Sequence, residues 1–202
     1  NPGLVRRGAT TLYQFGRKDA FPGVDASKLA ANSHFTQNAG DNMSIKNGIQ
    51  HPDLYYIWSL FGSNWKNNYA YNNLWSADNT VTGDYNVGND NPVVKTVYDP
   101  CPVGFKMPAS NAFTGFTSNG KFQTTAANIN VDGTTDSQKY LAAYGHNFYT
   151  NSSKNKTIFF PASGIRRQND GSLENVGVGG YYWSVVPYNA SNSYGLYFDR
   201  SQ

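Results

Sequence analysis

The clearest pattern of apolar and polar positions lies near the end of the sequence. Residues 180–186 (GYYWSVV) and 193–199 (SYGLYFD) each predict a strand, and the segment 187–192 between them has the composition of a turn. We therefore expect two strands joined at that turn. Two shorter segments also predict strands: residues 157–161 (TIFFP), expected to be buried, and residues 93–98 (VVKTVY).

Helix signals are few. Residues 26–32 predict a short helix. A better helix is predicted to begin at Pro52, which suits a first helical position, and to end at Gly62. Its apolar residues recur at helical spacing and are Leu54, Ile57, Trp58 and Phe61. A third helix is predicted from Ser110, which would cap it, to Gly115, which would break it. Phe113 and Phe116 would share one face of that helix.

Composition narrows the class of protein. Only 14% of the 202 residues are charged, against about 25% in an average globular domain, while aromatic residues reach 15% and asparagine is abundant. Aromatic side chains must therefore carry much of the core. A net charge of +3 without lysine and arginine clusters argues against nucleic-acid binding. No apolar run is long enough to predict a membrane-spanning segment. This composition is typical of exported, surface-displayed proteins.

Four segments in order resemble a known family. They are residues 12–23 (LYQFGRKDAFPG), 98–108 (YDPCPVGFKMP), 157–164 (TIFFPASG) and 180–198 (GYYWSVVPYNASNSYGLYF). Together they resemble the FISUMP, or major paralogous, domain of surface proteins from Bacteroidetes and relatives. The resemblance implies an α+β, C-type-lectin-like fold with small twisted antiparallel sheets, two or three short helices and long loops. Residues 1–202 are expected to form one such domain that lacks the family's final strand, because relatives continue past the Tyr-Leu-Tyr-Phe segment.

The resemblance also implies a function. Such domains often lie at the C-terminus of lipoproteins or fimbrillin-type pilus proteins. We therefore expect a non-enzymatic, adhesin-like domain at the cell surface, outer membrane or pilus, binding a glycan or protein on a host, bacterial or other surface. One alternative is a structural pilus or envelope subunit whose partners are other subunits. Another is an enzyme similar to the formylglycine-generating group, which a single cysteine disfavours.

Candidate catalytic and metal chemistry is sparse. Cys101 stands between two prolines, and the three histidines, His34, His51 and His146, have no metal-ligand spacing. Oxygen donors for calcium cluster in one segment, as Asp84, Asn86, Asn89, Asp90 and Asn91, but these residue types also form turns. We therefore expect no catalytic residue, metal or cofactor. Residues 15–19 (FGRKD) predict a buried charge network rather than a binding site.

The predicted recognition surface lies in the last strand and the turn before it. Its residues are Tyr188, Asn189, Ser191, Asn192, Tyr194, Gly195, Tyr197 and Asp199. Alternation sends Leu196 and Phe198 inward, together with Trp183 from the preceding strand, and leaves Tyr197 and Asp199 on the other face. Tyrosine, asparagine and serine dominate antibody binding loops, because they combine contact area with adaptable hydrogen bonds. The segment also resembles that of retroelement-diversified variable proteins, which suggests the hypothesis that it is diversified.

Overall fold

The computed structural model describes residues 11–23, 36–38, 45–56, 74–77, 92–121, 128–133, 138–167, 171–187 and 193–200. Over these ranges the chain has an α+β fold of small, mostly antiparallel sheets, three short helices and loops, as predicted at this coarse level. No helix in the described ranges is long and apolar enough to cross a membrane.

The strands are β1 (Thr11–Tyr13), β2 (Ala20–Pro22), β3 (Thr36–Asn38), β4 (Leu54–Tyr56), β5 (Gly145–Tyr149), β6 (Thr157–Pro161), β7 (Ile165–Arg166), β8 (Leu173–Glu174), β9 (Gly179–Pro187) and β10 (Ser193–Asp199). The helices are α1 (Ile45–Gln50), a 3₁₀ helix (Ser110–Phe116) and α2 (Gln138–Ala143). The strands pair as β1–β2, β5–β6, β7–β8 and β9–β10, all antiparallel, whereas β3 and β4 pair in parallel.

The first core is built around the buried indole of Trp75. Val93, Val185 and Val186 are buried with it. Half-buried side chains that pack against this core are Tyr13, Phe15, Tyr98, Met107, Ala109 and Trp183. The ring of Phe15 lies 4.8 Å from that of Trp75, and the indole N–H donates to the backbone oxygen of Arg17 at 3.2 Å. This core joins the β1–β2 hairpin to β9.

The second core is a cluster of aromatic rings. Phe148 and Phe198 are fully buried, with centroids 5.4 Å apart, and Ala162 and Leu196 complete the buried set. Half-buried side chains around them are Phe113, Phe116, Ile129, Val131, Phe160 and Tyr182. Edge-to-face contacts between such rings add to the free energy gained by burying their area. This core joins the β5–β6 pair and the 3₁₀ helix to β10.

The β9–β10 hairpin contacts both cores because of an irregularity in its register. Gly195 pairs with Trp183, but Ser193 pairs with Pro187, so three β9 residues stand against one residue of β10. A bulge of this kind interrupts the alternation of side chains between the two faces. Val185 and Val186 can therefore both be buried in the first core, while Leu196 and Phe198 enter the second.

A buried charge network lies at the β1–β2 turn, as residues 15–19 predicted. The Arg17 side chain is buried and forms an ion pair with Asp19 at 2.6 Å. It also donates to the Gln14 side chain at 3.0 Å and to the backbone oxygen of Leu54. This guanidinium links the β1–β2 turn to β4.

The helix predicted from Pro52 is wrong where the structure describes it. His51 and Leu54 close a turn with a hydrogen bond of 3.1 Å, and Leu54 then begins β4. Tyr55 and Tyr56 are both buried, and consecutive buried aromatic residues suit an extended strand enclosed on both sides. The remainder of that helix, and the one predicted at 26–32, lie outside the described residues.

The strand predicted at 93–98 is also wrong. Its pairing is a single bridge between Lys95 and Ser76, after which the chain turns at Thr96 to bring Asp99 into the interior. The strand predicted at 157–161 is present as β6, but its first half is exposed, because β6 lies at the edge of a two-stranded sheet.

The third predicted helix forms as a 3₁₀ helix. Ala109 precedes it without a side-chain cap, so the capping role expected for Ser110 is wrong, and that serine is buried inside the first turn. Gly115 does not break the helix, which runs to Phe116. Phe113 and Phe116 both pack against the second core, which confirms their shared face.

Candidate functional site

The outer face of the β9–β10 hairpin presents a pair of tyrosine rings. Tyr197 and Tyr181 are directly opposite each other, with ring centroids 4.8 Å apart and planes inclined by 37°. Tyr197 is 43% exposed, and its hydroxyl donates to the Asp199 carboxylate. The Asn175 side chain donates to the Tyr181 hydroxyl at 2.9 Å. We call these four residues, Asn175, Tyr181, Tyr197 and Asp199, the tyrosine face.

Asn175 reaches the tyrosine face through the turn between β8 and β9. Its backbone has a positive φ of 60°, which asparagine tolerates better than most residues. Its backbone oxygen accepts hydrogen bonds from Val178 and Gly179, both at 2.9 Å, and these close the turn. The turn holds the amide against Tyr181, so both tyrosine hydroxyls have a fixed partner.

The inner face of the same hairpin fixes the position of these rings. Phe198 pairs with Gly180, and a Cβ at that glycine would lie 2.3 Å from the phenyl ring. Glycine therefore allows Phe198 to lie flat across β9 and be fully buried. On the same face, Tyr182 donates to the backbone oxygen of Pro161 at 2.6 Å, and burial raises its pKa to about 12. The face of the hairpin opposite the tyrosine face is therefore packed against the second core.

The electrostatics of Tyr197 favour a neutral phenol. Burial raises its pKa above the ordinary value of 10, and the hydrogen bond to the Asp199 carboxylate raises it further. A phenol with a raised pKa is a poor proton-transfer group at neutral pH. Tyr197 therefore offers a ring surface and a polar rim, which are features of a binding surface.

Part of the predicted recognition surface can be located. Gly195, Tyr197 and Asp199 lie on the face of β10 away from the second core, as the alternation predicted. Tyr194 belongs to β10, and its side chain lies outside the described set. The turn residues Tyr188, Asn189, Ser191 and Asn192 lie outside the described residues. Of the predicted recognition surface, the structure therefore locates only the three residues Gly195, Tyr197 and Asp199.

Two members of the tyrosine face were missed by sequence reasoning. Tyr181 has the parity of Trp183 on β9, so pairing the two strands across their turn would have placed it beside Tyr197. Asn175 precedes the hairpin, and no local pattern indicates that its turn folds back against Tyr181.

Trp183 points into the interior, as predicted, but from the opposite face of the hairpin to Leu196 and Phe198. Trp183 is opposite Gly195, so it lies on the same side of the hairpin as the tyrosine face. Its half-buried ring packs into the first core, 5.8 Å from Phe15, and its N–H donates to the backbone oxygen of Tyr13 at 3.1 Å. Size favours burial of a tryptophan, but it does not specify which of the two cores receives it.

Cys101 lies in a setting that does not favour a thiolate. Burial raises the pKa of its thiol, and the nearby Asp99 carboxylate raises it further, against a smaller opposing effect of Lys95. Its backbone N–H donates to Asp99 at 2.7 Å. A reactive cysteine has a lowered pKa.

The histidines of the described ranges occupy different surroundings. His146 is buried in the second core, whereas His51 is exposed in the turn before β4. In the part of the chain that the structure describes, no three histidine, cysteine, aspartate or glutamate residues are grouped to hold a metal ion. His34 and the segment from Asp84 to Asn91 lie outside it.

Residues 145–202 match the family model of a domain of unknown function, DUF8237. The matched region contains β5 to β10 and therefore the whole tyrosine face. Comparison with curated proteins and with solved structures found no match.

Proposed function

We propose that this chain is a non-enzymatic ligand-binding domain of the FISUMP type, with a C-type-lectin-like fold, displayed on a bacterial cell surface or pilus. The observation that carries the proposal is the paired, partly exposed rings of Tyr181 and Tyr197, set between a carboxylate and an amide on a packed hairpin. The four resembling segments and the α+β arrangement of small antiparallel sheets support the fold.

The tyrosine face has the chemistry of a recognition surface. Tyrosine offers a large contact area with few rotatable bonds, so little conformational entropy is lost when a ligand covers it. The Asn175 and Asp199 contacts already hold both rings, which lowers the cost further. Such a surface suits the stacking of a sugar ring or the aromatic centre of a protein interface.

Three described side chains of types that often act in catalysis have pKa values that favour binding over catalysis. Cys101 and Tyr197 both have raised pKa values, so neither is activated as a nucleophile or base at neutral pH. Burial lowers the pKa of His146 to about 4, and its ring is enclosed by the second core. These environments favour neutral side chains with structural roles.

The test is a binding screen of the 202-residue chain on glycan arrays and host-protein arrays. Saturable binding to one class of ligand is the expected result. A second arm places Tyr197→Cys in a Cys101→Ser background and labels it with maleimide on intact cells. Labelling on cells is expected for a free recognition surface. Absence of any ligand, together with protection of position 197, would contradict the proposal and favour a structural subunit.

We also propose that the segment Tyr188 to Asp199 is diversified in related genes. Exposed Gly195 and Tyr197 alternate with buried Leu196 and Phe198, so changes confined to the exposed positions would spare the second core. A near-copy template repeat and a reverse-transcriptase gene beside the coding sequence are expected. A genomic neighbourhood that contains neither would contradict diversification.

A further inference from the structure

The hydrogen bonds of the tyrosine face narrow the class of ligand that it can bind. The Tyr197 hydroxyl donates to the Asp199 carboxylate, and the Tyr181 hydroxyl accepts from the Asn175 side chain at 2.9 Å. Both hydroxyls are thus engaged within the protein. The face therefore offers a ligand mainly the exposed ring of Tyr197 and the negative charge of the half-buried carboxylate.

The ring and the carboxylate attract a positive charge from the same side of the hairpin. Tyr197 and Asp199 are two residues apart on β10, so both lie on its outer face. A phenol that donates to a carboxylate is polarised by the negative charge, so its ring becomes richer in electrons and attracts cations more strongly. The two groups therefore act together on a cation placed over the ring.

Glycines leave room for a ligand around these two side chains. Gly195, which is exposed, precedes Tyr197 on the same face, and Gly179 pairs with Asp199 across the hairpin. A Cβ at Gly179 would lie 3.2 Å from the Tyr181 ring, so that ring extends over Gly179 towards the carboxylate. The two rings and the carboxylate therefore form one continuous patch at the end of the hairpin opposite its turn.

The protein already holds one arginine with this combination of groups. The Arg17 guanidinium lies 5.1 Å from the centroid of the Phe21 ring and 5.2 Å from that of Tyr56. The same guanidinium forms an ion pair with Asp19 at 2.6 Å. Aromatic rings beside a carboxylate are thus the environment in which this chain places its buried arginine at the β1–β2 turn.

A second site shows that a carboxylate bonded to a tyrosine still binds cations. The Tyr149 hydroxyl donates to the Asp132 carboxylate at 3.1 Å. The Lys139 ammonium donates to both oxygens of that carboxylate, at 2.7 Å and 2.8 Å, and the Lys154 ammonium lies 5.6 Å from the centroid of the Tyr149 ring. A tyrosine–carboxylate pair of the kind found at the tyrosine face therefore attracts a cation to each of its two members.

An arginine fits the tyrosine face better than a lysine or a sugar. A planar guanidinium can stack on an aromatic ring and direct N–H groups to a carboxylate at the same time, whereas an ammonium is a point charge. A sugar can also stack on a tyrosine, but its orientation depends on directional hydrogen bonds, and both tyrosine hydroxyls already have partners. Arginine is also enriched at protein interfaces.

We propose that the ligand of the tyrosine face is a protein segment that stacks an arginine side chain on Tyr197 and pairs it with Asp199. This inference rests on the proposed binding function of the same face, and it replaces the open choice between glycan and protein with one class of ligand.

The test is a titration of the isotope-labelled 202-residue chain, followed through the backbone amide NMR signals of β9 and β10. The probe is the tripeptide glycine–arginine–glycine with blocked ends, and its matched control carries citrulline, a planar, neutral analogue of arginine. The arginine peptide should shift these signals saturably and bind at least about threefold more tightly than the citrulline peptide. Both peptides are compared on the wild type, so the result does not depend on how a variant folds.

A pair of variants locates the charge that is recognised. Asp199→Asn removes the negative charge of the face and should weaken binding of the arginine peptide at least about threefold. Asp132→Asn is the matched control, because Asp132 also accepts a tyrosine hydroxyl but lies outside the face, and it should keep the wild-type dissociation constant.

The possible failures separate this inference from the proposed function. Equal binding of the two peptides, or unchanged binding in Asp199→Asn, would overturn the arginine assignment. A glycan from the arrays that needs Tyr197 but not the charge of Asp199 would also overturn it, while the proposed binding function would stand. Absence of every ligand, together with protection of position 197 on cells, would overturn both.

Discussion

Acidification is expected to destabilise the fold through one buried histidine. The His146 side chain is 2% exposed, with the Phe198 ring 5.4 Å and the Phe148 ring 6.0 Å from its own. Burial lowers its pKa from 6.5 to about 4, although a hydrogen bond to the Asp199 backbone and the Asp199 charge oppose the shift. The folded protein therefore keeps this imidazole neutral.

The sign and size of the effect follow from proton linkage. Below about pH 6.5 the unfolded chain binds a proton at His146 that the folded chain accepts only near pH 4. The stabilisation is therefore complete above about pH 6.5 and is lost as the pH falls through this window. The lowered pKa corresponds to about 3 kcal/mol in total, of which about 2 kcal/mol should be lost by about pH 5.

The assay is urea unfolding between about pH 7.5 and pH 5, a range in which most carboxylates remain ionised. His146→Gln keeps a hydrogen-bond donor but cannot titrate. Between these two pH values its free energy of unfolding should therefore fall by about 2 kcal/mol less than that of the wild type. His51→Gln is the control, because His51 is exposed, and it should keep the wild-type dependence. Equal pH dependence of His146→Gln and the wild type would refute the assignment.

Three further predictions concern other described residues. Gly145→Ala should destabilise the fold by about 2 kcal/mol or more, because the new Cβ would lie 2.3 Å from a backbone oxygen. Gly115→Ala is the control, since its Cβ would meet open space and its free energy of unfolding should stay near the wild-type value. Chemical denaturation compares the two variants. Asp99→Asn should cost about 2–4 kcal/mol in the same assay, because a buried acceptor of three hydrogen bonds becomes partly a donor. The Cys101 thiol should react more slowly with a disulfide reagent in the folded chain than in urea, because burial and the Asp99 carboxylate raise its pKa. A faster reaction in the folded chain would contradict that direction.

Local patterns predicted the β9–β10 hairpin well. A strand needs only alternation and a turn signal, and both lie within a few residues in 180–199. The same alternation correctly separated Leu196 and Phe198 from Tyr197. The predicted charge network at residues 15–19 was also confirmed, because a buried arginine needs a nearby carboxylate.

The errors arose where tertiary contacts override local patterns. The residues after Pro52 have helical spacing, yet Tyr55 is drawn into a strand by contacts with the Phe21 ring at 5.2 Å and the backbone oxygen of Arg166 at 3.2 Å. The alternation in β9 could not reveal a bulge that buries two consecutive valines, nor the second core that competes for Trp183. Asn175 reaches Tyr181 only because the turn that carries it folds back against β9, and tertiary structure decides that position.

The central claim, that the tyrosine face binds the ligand, is tested most directly by comparing dissociation constants of two variants for a ligand found on the arrays. Tyr181→Ala/Tyr197→Ala should weaken binding by about thirtyfold or more, because each ring is expected to contribute over about 1 kcal/mol. Tyr149→Ala is the matched control, since Tyr149 also donates to a carboxylate, that of Asp132 at 3.1 Å, but belongs to β5. With melting temperatures near the wild-type value, loss of binding in the double variant alone is the predicted result. Unchanged binding in the folded double variant would contradict the account.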